Sequence, residues 1–270
     1  MNTDFELTRV TDSERKDSEG YDDYFYSNDY SKLIKCPPSP EFEDDGVFCT
    51  YDFTQVQIIC DNACDIDSCG LFLDGLVQVK LPEGITHLGS HVFKGRNLSW
   101  VELPKSLKFI GKDPFALTST FNLFSKNVNF IIDKNGNLYD LANKRLIHNT
   151  KNEGTIEIPN NILSIDEYAF SRKKGEPYVK SYYNNNPKRI EQDTLAIVIP
   201  SSVDSIGDCA FENCNVRRVT FMGKPNKIGT NIFKGCFLLE KICVPSGSKD
   251  FFLQAFADHS EIIDDRWPER

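Results

Sequence analysis

Apolar residues recur along this chain in a fixed register that fits neither a helix nor a long strand. Five segments superimpose: VKLPEGITHLGSHVF, VELPKSLKFIGKDPF, IEIPNNILSIDEYAF, IVIPSSVDSIGDCAF and VTFMGKPNKIGTNIF. Four of them close on a phenylalanine eleven residues after a proline: Phe93 after Pro82, Phe115 after Pro104, Phe170 after Pro159 and Phe211 after Pro200. The fifth has Met222 at the proline position and ends on Phe233. Three residues before that position stand Val79, Val101, Ile156, Ile197 and Val219; six after it stand Leu88, Ile110, Ile165, Ile206 and Ile228. Glycine follows the latter in every unit except the third, which has Asp166. Units without insertion repeat at 22 residues, as Pro82 to Pro104 shows.

Each column has a physical meaning. The V-x-L/I-P piece alternates with period two and is β-branched, so it predicts a short strand that the proline ends. The x-x-I-x-x-I-G piece predicts a second short extended segment, turned at the glycine. The phenylalanine then fills the interior of the coil. One turn buries little by itself, but turns stacked at about 4.8 Å pair their strands and make the interior ladder continuous. The predicted fold is therefore mainly β: a leucine-rich-repeat solenoid, a curved right-handed stack of short parallel strands.

These residues resemble the BspA-type leucine-rich repeats, whose pattern runs L-x-x-I-x-L-P-x-x-V-x-x-I-G-x-x-A-F-x-x-C. FENCNVRRVTF and FKGCFLLEKICVP fit the part after the phenylalanine, with Cys214 and Cys236 at the pattern's cysteine. The resemblance covers roughly residues 76 to 262 and, more faintly, 25 to 75. The tail VPSGSKDFFLQAFADHSEIID is similar to that family's ending: Ser246 or Ser248 would cap a short helix whose Phe251, Phe252, Leu253 and Phe256 close the open end of the stack.

Two insertions interrupt the repeats, at 117–152 and 171–194. The first contains NFIIDKNGNLYDLANKRLIHN, where Asn135-Gly136 predicts a β-hairpin turn and Asn143-Lys144 a second one. A similar pattern stands early, in YFYSNDYSKLIKCP, where Tyr26 precedes Leu33 by seven as Tyr139 precedes Leu146. That echo suggests a chain beginning part-way through a pattern, as a fragment of a longer repeat protein would. The second insertion carries six Lys/Arg against three Asp/Glu over residues 171–193, and three tyrosines among them. The organisation read from sequence is an acidic, disordered start (1–24), a degenerate hairpin and repeat (25–75), the repeats with their insertions (76–245) and a C-terminal cap (246–270).

Charge and candidate chemistry narrow the function. Of the net charge of -9, residues 1–45 contribute -8, so the repeat body is close to neutral and has no field to attract nucleic acid. No apolar run is long enough to insert into a membrane, and the first residues lack a signal-peptide core. There is neither a phosphate-cradling loop nor an H-E-x-x-H motif; His87 and His91 occupy variable repeat positions. The odd count of nine cysteines excludes complete internal pairing, and without an export signal reduced thiols are the default. Cys60, Cys64 and Cys69, with Cys36 and Cys49, are the one candidate metal set, but their spacing lacks a C-x-x-C pair. No catalytic arrangement, metal site or cofactor is assigned.

The function expected is that of a scaffold binding a protein ligand as a monomer, through exposed side chains on the strand face (Gln78, Lys80, Glu102, Glu157, Val198) and beside it. Candidate partner-binding residues are Trp100, Arg217 and Arg218 near the strands, and Arg172, Lys173, Lys174, Tyr178, Tyr182 and Tyr183 in the basic insertion, because tyrosine, tryptophan and arginine dominate interface hot spots. Resemblance to the BspA family further implies a cell-surface or secreted adhesin of host matrix. The alternatives are a non-binding structural spacer of a larger surface protein and a metal-binding protein using the early cysteines.

Overall fold

The computed structural model describes residues 7–10, 24–27, 31–35, 41–42, 48–50, 56–60, 76–118, 120–151, 154–173 and 195–267. The chain forms two compact units, Met1–Ile131 and Ile132–Arg270. Each is a β-solenoid with two sheets, one of very short strands and one of longer strands.

In the first unit the short-strand sheet opens with an antiparallel meander, Leu7–Val10, Tyr24–Ser27 and Lys32–Lys35. Three two-residue strands follow in parallel: Ile58–Ile59, His87–Leu88 and Phe109–Ile110. The long-strand sheet runs Glu41–Phe42, Phe48–Thr50, Leu76–Lys80, Leu98–Leu103 and Asn122–Ser125. Val79, Val101 and Leu123 share one register column, so the residues three before each proline stack as the spacing requires. Asn122–Ser125 lies within the insertion read at 117–152, yet it is a regular rung of this sheet: the alternation continues there without the proline that marks the other strands.

The second unit has the same plan. Its short-strand sheet opens with Ile132, the last residue of the strand Phe130–Ile132, then Asn137–Asp140 and Arg145–Asn149, and continues through Ser164–Ile165, Ser205–Ile206 and Lys227–Ile228. Its long-strand sheet orders Thr155–Glu157, Leu195–Ile199, Val216–Phe221, Lys241–Pro245 and Ile263–Trp267. The two meanders match in detail. Tyr26 pairs with Leu33 and Tyr139 with Leu146, and in each a register irregularity falls immediately before the tyrosine.

A third backbone ladder runs through the phenylalanine turns. Phe93 N–H donates to Pro114 O (2.7 Å), Phe170 to Ala210 O (2.6 Å) and Phe211 to Ile232 O (3.0 Å). The chain reaches this corner by left-handed residues on either side of the aromatic. His91, Tyr168, Cys209 and Asn231 have positive φ two positions before it; Gly95, Leu117, Asn213 and Gly235 have it two positions after. Most are not glycine, and the backbone bonds of the ladder offset the strain at those positions. In the second turn Asp113 escapes the pattern because it precedes Pro114, which favours extended backbone.

The aromatics form the core columns. Phe93 stacks on Phe115 with centroids 6.0 Å apart, and Phe170 on Phe211 at 4.9 Å. The second column continues through Phe233 to Phe256 of the terminal segment (5.4 and 5.0 Å). There the helix Lys249–Ala255 buries Phe252 and packs Phe251 and Leu253 against the last turns, covering an otherwise open apolar end. Ser248 occupies the N-cap position but does not cap with its side chain; its hydroxyl donates to Pro245 O at 2.5 Å, so the turn before the helix takes the bond.

The glycine column is imposed by close approach. A Cβ on Gly229 would lie 2.6 Å from Asp208 N, and one on Gly207 would strike Glu167 N, both backbone atoms of the preceding turn. Asp166 follows a hairpin strand instead of a turn. There a side chain is accommodated, and its carboxylate accepts a hydrogen bond from Arg145 at 2.6 Å.

Candidate functional site

The faces available to a partner are the outward sides of the two long-strand sheets. In the first unit, strand alternation puts Val101 and Leu103 inside and leaves Trp100 half-buried and Glu102 partly exposed on the outer side. Register sets Trp100 between Gln78 and Asn122, and Glu102 between Lys80 and Phe124. Phe124 is 55% exposed, one of the large hydrophobic side chains that stand open on the surface. Glu102 pairs with Lys126, whose ammonium pKa that carboxylate raises. Among the described residues this face is therefore aromatic at two points, Phe124 beside Glu102 and Trp100 two residues before it, and carries the Glu102–Lys126 ion pair.

The corresponding face of the second unit is charged. Arg218 is exposed, in register with Ala196 and Lys241. Arg217 is half-exposed and its Nε lies 2.7 Å from Glu240 Oε1. Lys241 pairs with Asp264 at 2.8 Å, and hydrogen bonds from Arg266 and then from Lys241 hold the Asp264 carboxyl far below the usual carboxylate range. Glu157 is exposed and Val198 half-buried on the same side. The Gln78 side chain lies outside the described residues.

The basic insertion divides in two. Lys174, Tyr178, Tyr182 and Tyr183 lie outside the described residues, and Lys173 is half-buried. Arg172 overturns its sequence reading as a surface contact: it is 1% exposed. Its guanidinium donates to the carbonyls of Asn149 (3.0 Å), Ser171 (2.8 Å) and Lys151 (2.5 Å) and to Asn149 Oδ1 (2.8 Å). Asn149 Nδ2 passes the chain on to Asn137 Oδ1 at 2.8 Å, and Asn137 Nδ2 to Asp133 Oδ2 at 2.8 Å. Arg172 N–H also occupies the phenylalanine-corner ladder, donating to Glu212 O at 2.9 Å. Its sequence neighbours made it look like loop; the ladder keeps it in the fold for two residues past Phe170.

Cys209, Cys214, Cys236 and Cys243 are buried thiols outside any disulfide, and Cys236 Sγ donates to Phe211 O at 2.8 Å. Burial pushes the Cys214 thiol up to about 11 and that of Cys236 higher still. Of the early set, only Cys60 has a described side chain. No group of three or more His, Cys, Asp or Glu could hold a metal ion among the described residues. His87 is exposed and His91 is half-buried at a left-handed corner position. Among the described residues no helix is long and apolar enough to cross a membrane.

Parallel sheets of repeated turns around an aromatic core column define a leucine-rich-repeat solenoid. The profile of the BspA type leucine rich repeat region matches residues 71–171, 143–191 and 180–269 in 6 copies, and the chain belongs to that family. No curated protein matches it. Among solved structures, a leucine rich cell surface protein from Faecalibacterium prausnitzii A2-165 is similar at 20% identity and TM-score 0.43, over 71% of this chain and 52% of its own. This chain thus spans about half the length of that protein. The pneumococcal vaccine antigen PcpA is similar at 13% identity and TM-score 0.44, over 82% of this chain and 69% of its own. A leucine-rich repeat protein from Eubacterium ventriosum ATCC 27560 is similar at 14% identity and TM-score 0.40, over 84% and 77%.

Proposed function

We propose that this chain is a non-enzymatic protein-binding scaffold of the cell surface, an adhesin that engages host or extracellular-matrix proteins. The observation that carries the reading is the outer side of the first unit's long-strand sheet, where Phe124, 55% exposed and in register with Glu102, and Trp100, two residues before Glu102, accompany the Glu102–Lys126 pair. Large aromatics beside a charged pair match the composition of interface hot spots. In a solenoid such outward residues change without disturbing the interior ladder, so the face can be fitted to one ligand. Arg217 and Arg218 of the second unit, with Lys173, Lys174, Tyr178, Tyr182 and Tyr183, extend the same reading to a basic contact surface. Surface location is supported by membership of the BspA-type family.

The test is a binding screen of the full chain against immobilised extracellular-matrix proteins, repeated with Trp100→Ala/Phe124→Ala and with residues 174–194 deleted. Loss of binding in the double variant, at unchanged thermal stability, supports the aromatic face. Loss only in the deletion moves the site to the basic insertion. Absence of binding to every matrix protein ends the adhesin reading.

A further inference from the structure

One strand in each long-strand sheet carries the same irregularity. Val77 is in register with Leu98 but Gln78 with Trp100, so Ser99 is an extra residue in Leu98–Leu103. Leu195 is in register with Val216 but Ala196 with Arg218, so Arg217 is an extra residue in Val216–Phe221. A bulge of this kind keeps two successive side chains out of the interior. Ser99 and Trp100 stand between the buried Leu98 and Val101, and Arg217 and Arg218 between the buried Val216 and Val219. Trp100 and Arg218 are therefore equivalent, each turned outward in its own unit by a bulge.

Arg218 differs from the cations around it. Arg217 Nε lies 2.7 Å from Glu240 Oε1. Lys241, in register with Arg218, pairs with Asp264 at 2.8 Å, and Arg266 binds the same carboxylate at 2.9 Å. Arg218 is exposed, and among the described residues no carboxylate or carbonyl accepts from its guanidinium. Glu157, also outward, stands two strands away and in register with Val198, not Ala196. The rung beside Arg218 holds Ala196, and two residues further along its own strand comes the buried Thr220, so short side chains border it. The face thus presents one open fork of donors beside a low shelf, among cations that are already neutralised.

We infer that Arg218 is the specificity-determining contact of the second unit's outward face and takes a single carboxylate, an aspartate or glutamate side chain of a protein partner. The inference rests on the protein-binding reading above and names the chemistry of that partner. A guanidinium without an internal partner meets a carboxylate through two parallel hydrogen bonds, and no existing pair has to break. A polyanion such as a sulfated glycan fits poorly. It requires several open cations in a row, whereas Glu240 and Asp264 occupy those beside Arg218 and repel further negative charge. Ala196 leaves room for the partner's chain to approach and shield the new pair from water, which strengthens it.

Phage-displayed peptides selected on the immobilised full chain test this without the natural partner in hand. The expected clones bind through one Asp or Glu. Changing that acid to its amide, or Arg218→Gln in the chain, weakens such a clone by about tenfold, the size of a hot-spot contact. The two changes together weaken it little more than either alone. Arg218→Lys restores only part of the binding, since an ammonium lacks the planar fork. Arg218→Glu binds again when lysine replaces the peptide's acid. Each variant keeps the wild-type melting temperature, because the side chain is exposed. Selected peptides that bind Arg218→Gln as well as wild type overturn the inference and leave the scaffold reading standing; selection of no peptide removes both. Retention of the chain on an immobilised sulfated glycan at an ionic strength of about 0.15 M, if Arg218→Gln abolishes it, makes the face a polyanion site and also overturns the inference.

Discussion

Arg172 clasps Asn149 twice, at the backbone carbonyl (3.0 Å) and at Oδ1 (2.8 Å), and so ties the third phenylalanine turn to the hairpin strand Arg145–Asn149. A buried guanidinium with this many carbonyl acceptors cannot be removed without leaving them unsatisfied. Arg172→Ala lowers stability by about 2–4 kcal/mol, because hydrogen bonds to a charged group are worth more than neutral ones. Arg172→Lys does not restore the loss, since an ammonium lacks the planar fork that reaches several acceptors at once. Denaturant unfolding of both variants reads this; wild-type stability in the alanine variant contradicts it.

The aromatic column separates core from surface phenylalanines. Phe211, fully buried between Phe170 and Phe233, costs about 3–5 kcal/mol when cut to alanine. Phe237, 88% exposed in the following turn, changes stability by about 0.5 kcal/mol or less. The contrast in thermal melting midpoints is the measurement.

The glycine column predicts an asymmetry between neighbouring turns. Gly229→Ala forces a methyl against the Asp208 backbone and destabilises by about 1–3 kcal/mol. Asp166→Gly restores the family's residue yet also destabilises, by about 1–2 kcal/mol, because it removes the acceptor of the 2.6 Å bond from Arg145. A stabilising Asp166→Gly would show that the pair is not formed.

Acid sensitivity centres on His148. It is wholly buried, and burial first, then the Arg172 charge, hold its pKa well below that of a free histidine. The folded ring therefore stays neutral while the unfolded ring protonates below about pH 6.5. Its contribution is complete above that pH and is lost as the pH falls below it, toward the depressed folded value. Unfolding free energy measured between pH 7 and pH 5 falls accordingly, and His148→Gln flattens that slope while lowering stability at pH 7. An unchanged slope removes His148 as its source.

Thiol access reports on the second unit. Burial raises the Cys214 pKa to about 11 and that of Cys236 further, so neither forms thiolate near neutral pH. With an aromatic disulfide reagent at pH 8, both stay unreacted in the native chain and react on denaturation, as mass spectrometry of the labelled peptides will show. Rapid native labelling of either would contradict the buried column.

Legibility from sequence followed how local each determinant is. The columns of Pro82, Pro104, Pro159 and Pro200 and of Phe93, Phe115, Phe170, Phe211 and Phe233 were readable because every turn has the same interior to fill. The likeness of Tyr26–Leu33 to Tyr139–Leu146 was readable too, and it proved to be the same register pair opening each unit's sheet. Phe124 was not, because its strand carries no proline and fell inside a stretch read as insertion. The proposed ligand face is the least legible part: period-two alternation says which side is outward, but says nothing of Lys126 reaching Glu102 from beyond the strand's end.

By itself the sequence determined the repeat, its register, the interior ladder and the capping helix, since these depend on volume and polarity recurring at a constant interval. Tertiary structure alone decided the fate of individual polar residues. Arg172 and Lys173 are adjacent in a basic run, yet the backbone bond from Arg172 to Glu212 keeps Arg172 on the ladder and turns its side chain toward Asn149. Asp166 is allowed where its equivalents must be glycine because a hairpin strand, not a turn, lies beneath it. Both outcomes depend on what the neighbouring turn places within a few ångströms, and that neighbour is some 20 or more residues away in the chain.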